Sequence, residues 1–225
     1  MTGGTRGRAR PGIPEIVVGL AVFAVVGYGS PPLLKLLELD PVIDGIAVGA
    51  VSGVAGILGF GGALAMRVRS LRPFGVRSTT PRWILLGLAG GVVAFVISRI
   101  GGVLYVLAFG QPENVQAVYN TAAQGGVLAL IVSSLALAVL TPIGEELLFR
   151  GVVTSALLRW GPVVGVVGSA LVFAVMHLNV AVAITAFVVG LIAAELRRRS
   201  DSIWPAVVVR VVNNLGANLI GAFAT

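Results

Sequence analysis

Long apolar runs cut by short polar and basic stretches make up the pattern of this chain. The runs lack the alternation of period two that a membrane barrel strand needs. They predict helices over about 16–29, 43–66, 83–109, 125–160, 161–178, 181–196 and 203–223. Ser30-Pro31-Pro32 is expected to break the first of them. Thr141-Pro142 interrupts the fourth, because an interior proline removes a hydrogen bond and crowds the preceding turn. In the second, Gly45, Gly49 and Gly53 recur every four residues and favour close helix–helix contact.

The basic residues fall between these runs. Arg6, Arg8 and Arg10 precede the first; Arg67, Arg69, Arg72, Arg77 and Arg82 follow the second; Arg159 follows the fourth; Arg197, Arg198 and Arg199 precede the last. Positive-inside logic puts all of them on the cytoplasmic side. That parity holds if 125–160 crosses once, which makes seven spans, and fails if it crosses twice, which makes eight. As a straight helix that stretch would measure about 54 Å against a ~30 Å hydrocarbon core, so part of it is kinked, tilted, re-entrant or protruding. Seven and eight spans both remain open. The organisation expected is a basic cytoplasmic tail over 1–15, N-terminal transmembrane helices over 16–109, and a helical core over 125–223. Basic residues before an apolar run also describe a signal peptide. No small-x-small cleavage pattern follows this one, so an uncleaved first helix is expected.

Composition narrows the class. Of 225 residues, 57% are hydrophobic and 11% charged, too little polar surface for a soluble domain. The fold class is therefore all-α, a polytopic integral membrane protein. The net charge of +7 sits in short loops, so its expected counterpart is anionic lipid, not nucleic acid. A bacterial-type plasma membrane with the N-terminus cytoplasmic is the expected location. The chain has no cysteine and one histidine, His177, which excludes thiol chemistry and poorly supplies a three-ligand zinc site. No cofactor is expected.

Ionisable groups inside membrane segments are expensive and mark candidate sites. Here they are Arg99, Glu145, Glu146, Arg150, His177 and Arg210, joined by the amides Asn213 and Asn214. Glu146 and Arg150 are four apart and share a helix face, as do Phe173 with His177 and Arg210 with Asn214. Glu145, His177 and Asn214 lie about 15, 17 and 14 residues from the turns at Gly161-Pro162 and 200–202, roughly 22, 25 and 21 Å along their helices. If both turns lie on one face, a carboxylate, an imidazole and an amide share one depth. A carboxylate in low dielectric can act as a base near neutrality, an imidazole beside it can share a water, and an amide or cation can donate to an oxyanion. That set suits amide hydrolysis without a covalent nucleophile.

The stretch Thr141-Pro142-Ile143-Gly144-Glu145-Glu146-Leu147-Leu148-Phe149-Arg150 resembles the EExxxR motif of the CPBP family. That family comprises type II CAAX prenyl endopeptidases and bacteriocin-processing or immunity proteins. Phe173-Ala174-Val175-Met176-His177 resembles its FxxxH motif. Arg210-Val211-Val212-Asn213-Asn214 resembles HxxxN with arginine in place of histidine. The resemblance implies glutamate-dependent intramembrane proteolysis. It implies Glu145 as general base, His177 as holder of the water and Asn214 as oxyanion donor. It implies that Glu146 and Arg150 orient Glu145, with Phe173, Arg210 and Asn213 in support. The implied partner is a peptide or protein substrate, lipid-modified or membrane-embedded. The arginine at position 210 equally suits a non-catalytic relative that binds a peptide or membrane partner. A small transporter would also carry buried charges, but needs a matched pair of broken helices that the chain lacks.

Overall fold

The computed structural model describes residues 10–110 and 116–223; Arg6, Arg8 and the rest of 1–9 lie outside the described residues. Every described element is helical. They are α1 (Ile13–Lys35), α2 (Pro41–Met66), a 3₁₀ turn (Arg72–Phe74), α3 (Pro81–Phe109), α4 (Ala117–Gln124), α5 (Val127–Trp160), α6 (Val164–Val175), α7 (Val180–Ser200) and α8 (Trp204–Phe223). All but α4 and α6 are long and apolar enough to cross a membrane, six helices among the described residues. The protein is an integral membrane protein. The fifth predicted run, 161–178, is shorter than expected: it forms α6, which rises about 18 Å, short of a ~30 Å core.

Two proline expectations are corrected. α1 continues through Pro31 and Pro32 to Lys35. Only one further turn follows the prolines, so the loss is confined to the bonds that the Gly27 and Tyr28 carbonyls would have accepted. α5 likewise runs unbroken past Pro142. It absorbs the proline by widening to π-type turns over Leu135–Leu140 and Leu147–Thr154, on either side of the segment Thr141–Glu146. Wider turns hold more residues per turn, so the helix advances less per residue.

The helix ends sort by charge. Arg67 at the end of α2 makes a bidentate pair with Glu15 of α1 at 2.7 Å. Arg197 near the end of α7 donates to Ser155 of α5 at 2.8 Å. Arg77 bonds Asp201, and the Ser202 hydroxyl donates to the Arg77 carbonyl at 2.8 Å. The two turns used above to measure depth therefore lie at one end of the bundle. At the other end, α4 lies between the start of α2 and the end of α8, where Gln124 donates to the Gly221 carbonyl at 3.0 Å. The basic loops share a side because α5 spans the bundle once.

Packing at the centre depends on glycine. An added methyl at Gly144 of α5 would strike the backbone of Gly53, and one at Gly56 would strike the backbone of Gly144. α2 and α5 thus cross backbone to backbone, one residue from Glu145. Thr141 donates to the Gly49 carbonyl at 2.8 Å along the same seam. Around it, Phe23, Phe149 and Phe173 pack edge to face at 5.5 and 4.8 Å, and Phe173 meets His177 at 4.7 Å. Such pairs contribute about 0.5–1.5 kcal/mol each beyond area burial.

Candidate functional site

The backbone crossing forces the Glu145 and Glu146 side chains into the interior, where they are 4% and 0% exposed. Glu146 pairs with Arg150 one turn on, at 3.0 Å, as their spacing predicts. Arg150 is fully buried and also donates to the Gly190 carbonyl of α7 at 3.2 Å, which ties α5 to α7. Arg210 enters from α8. Its Nη2 donates to Glu145 Oε2, and its Nε lies 3.8 Å from Glu146 Oε1. Two carboxylates and two guanidiniums thus form a buried quartet with no net formal charge. Both guanidinium carbons stand over the Phe173 ring, at 4.7 Å for Arg150 and 4.6 Å for Arg210. The ring faces the cations with its negative quadrupole.

Glu145 has another partner that sequence reasoning missed. The Ser52 hydroxyl of α2 donates to Glu145 Oε1. A signal existed: Ser52 is the one hydroxyl in the glycine-rich face of α2, next to Gly53, which packs on Leu140. Each Glu145 oxygen has one partner, and a carboxylate offers about four lone-pair positions, so further acceptor capacity remains.

His177 follows the end of α6. Its Nδ1 lies 2.8 Å from the Phe173 carbonyl. A carbonyl only accepts, so Nδ1 carries the proton and the neutral ring presents Nε2 as an acceptor. Glu145, Arg210 and Arg150 are all within electrostatic reach of the ring. The turn after it is held from α1, where the Tyr28 hydroxyl donates to the Met176 carbonyl. Leu178 there has φ +54°, a left-handed conformation unusual for leucine. Tyr119 of α4 also feels the site: burial first, then the Glu145 charge, raise its phenol above the ordinary range.

Asn214 meets α5 at a residue earlier in the chain than Glu145. Its amide donates to the Leu137 carbonyl at 3.0 Å, roughly two helical turns before Glu145. Arg210, one turn before Asn214 on α8, is the residue that meets Glu145. Leu137 lies in a widened turn of α5, where a carbonyl is open to an outside donor. Asn213 donates to Asn214 at 3.2 Å and completes the amide pair. Arg99 stays outside the cluster, exposed and stacked on Phe95 at 5.6 Å. Among the described residues, no group of three or more His, Cys, Asp or Glu is placed to hold a metal ion.

The cluster leaves polar capacity unused. Glu146 Oε2, Arg150 Nε and Asn213 Oδ1 are buried with no hydrogen-bond partner among the described residues, while Glu146 Oε1, Arg150 Nη1 and Arg210 Nε meet one another only as ion pairs. Native interiors rarely tolerate this density of unmet groups, and functional sites are where it occurs.

No curated protein and no solved structure matches the chain. Residues 127–216, which hold the whole charged quartet with Phe173, His177 and both asparagines, match the family model for type II CAAX prenyl endopeptidase Rce1-like proteins, so this part of the chain is similar to that protease family.

Proposed function

We propose that the protein is an intramembrane endopeptidase of the glutamate type, acting on a peptide or protein held in or at the bilayer, lipid-modified or membrane-embedded. The observation that carries this reading is the buried cluster of two carboxylates and two guanidiniums around Glu145, inside the stretch that matches a protease family. A water between Glu145 and Nε2 of His177 is the nucleophile. Its oxygen bonds to the scissile carbonyl carbon as one of its protons passes to Glu145. At that moment Glu145 loses its charge and Arg210 loses its counter-ion, so the guanidinium turns to the new oxyanion. Counted together with the oxyanion, the cluster's net charge does not change. Asn214 adds a second donor, since its bond to Leu137 uses one of two amide hydrogens. The carbon–nitrogen bond then breaks as Glu145 returns its proton to the leaving nitrogen, yielding a carboxylic acid and an amine. Glu146 and Arg150 hold α5 against α7 so that Glu145 keeps its place. No metal takes part in this scheme. The basic end of the bundle faces the cytoplasm of a bacterial-type cell, with the N-terminus on that side.

The pair of Arg210 with Glu145 favours a second reading. A carboxylate held permanently by a guanidinium is a structural strut, and the protein is then a non-catalytic relative that binds a peptide or membrane partner. Cleavage of prenylated and plain peptides in liposomes separates the two, using the wild type, Glu145→Ala and Arg210→His, with and without chelator. Wild-type cleavage that survives chelator and is lost in Glu145→Ala establishes the protease. A silent wild type with an active Arg210→His establishes the strut.

A further inference from the structure

At the basic end of the bundle, Arg10, Arg67 and Arg159 line one cavity of about 610 Å³ with Pro11, Ser155 and Leu158. The three arginines come from three places: the segment before α1, the end of α2 and the end of α5. Arg67 is held by the bidentate bond to Glu15, whose carboxylate also accepts the Gly12 N–H at 2.8 Å. Arg159 is held over the Trp160 ring at 4.9 Å. A methyl built on Gly12 would lie 3.3 Å from Arg67 Nη2 and 3.4 Å from Arg159 Nη1, so these two guanidiniums converge on one point. Among the described residues Glu15 is the one carboxylate placed among them, and both its oxygens are bonded, to Arg67 and to the Gly12 N–H. The cavity therefore carries excess positive charge, with Arg67 and Arg159 brought together beside it, an arrangement that suits phosphate oxygens.

We propose that this cavity binds the phosphate-bearing headgroup of an anionic membrane lipid. Its place in the bundle argues for a lipid. It opens where apolar spans end, and the adjoining turns expose Ile13, Val17, Trp160 and Val163. Trp160 supplies the amphipathic ring found at headgroup level, and the apolar side chains give acyl chains a surface to lie on. The site lies at the end of α5 remote from the Glu145 quartet and does not depend on whether that quartet is catalytic.

The test is retention of defined lipids by the full chain, read by native mass spectrometry from nanodiscs containing equal phosphatidylglycerol and phosphatidylcholine. Arg159→Gln, Arg10→Gln and the control Arg82→Gln, a basic residue that does not line the cavity, are compared with wild type. Thermal melting of each confirms folding. Wild type is expected to keep phosphatidylglycerol preferentially. Arg159→Gln and Arg10→Gln are expected each to lower that retention about fivefold, while Arg82→Gln leaves it unchanged. Equal retention of both lipids, equal loss in all three variants, or displacement of the lipid by millimolar inorganic phosphate alone would overturn the proposal.

Discussion

Arg210 of α8 and Glu145 of α5 form an ion pair with side chains only 6% and 5% exposed. The two residues are 65 positions apart in sequence, and neither has a second neutralising partner as near. Removing one leaves the other as a buried, uncompensated charge, which costs about 3–5 kcal/mol. Arg210→Met and Glu145→Gln are each expected to lower resistance to unfolding by that order. The double variant is expected to recover most of it. A double-mutant cycle in detergent unfolding checks this; additive losses would show that the pair is not coupled.

Ser52 is expected to position Glu145 for catalysis. Ser52→Ala removes a bond to a charged acceptor but suits the helix, so the fold should persist. The turnover rate is expected to fall about tenfold with KM little changed, a loss of about 1.4 kcal/mol in the transition state alone. Ser52→Thr, which keeps the hydroxyl, is expected to restore most of the rate. Steady-state kinetics on a cleaved peptide decides it.

Gly144 permits the crossing of α2 and α5. Gly144→Ala places a methyl against the Gly53 carbonyl, and backbone cannot move aside as a side chain can. The helices must part, at about 1–3 kcal/mol. Gly61→Ala, with nothing within 4 Å of the new methyl, is expected to be neutral or mildly stabilising. Thermal melting of the two variants side by side is the measurement.

Tyr28 anchors the turn that carries His177. Tyr28→Phe removes one hydrogen bond to the Met176 carbonyl, worth about 1 kcal/mol. Faster amide exchange at 176–178 is expected, with α7 unchanged. Exchange that stays the same would show that the strained Leu178 turn holds itself.

The apolar pattern located the long helices, with the end of α1 missed by six residues past its prolines, because each is a long apolar run and nothing else fits the composition. The Glu146 and Arg150 pair was legible for a similar reason: four residues is one helical turn. The contact of Arg210 with Glu145 was not legible, since sequence spacing says which residues share a face but not which faces meet. Ser52 went unread because its role exists only where α2 and α5 touch. The Leu137 carbonyl as partner of Asn214 went unread because it lies in a widened turn of α5 that sequence spacing does not announce. Arg197 was read with Arg198 and Arg199 as one loop cluster. In fact Arg198 and Arg199 bond Glu195 on the surface, while Arg197 turns inward to Ser155.

The hydroxyl of Ser52 and the phenol of Tyr28 belong to helices outside residues 127–216, yet they touch Glu145 and the His177 turn. The stretch recognisable by descent is therefore smaller than the stretch that completes the site. A fragment holding only the recognisable part would be an unfinished half. The two halves of this chain, expressed as separate pieces, would have to find each other in the bilayer before Glu145 could meet Ser52.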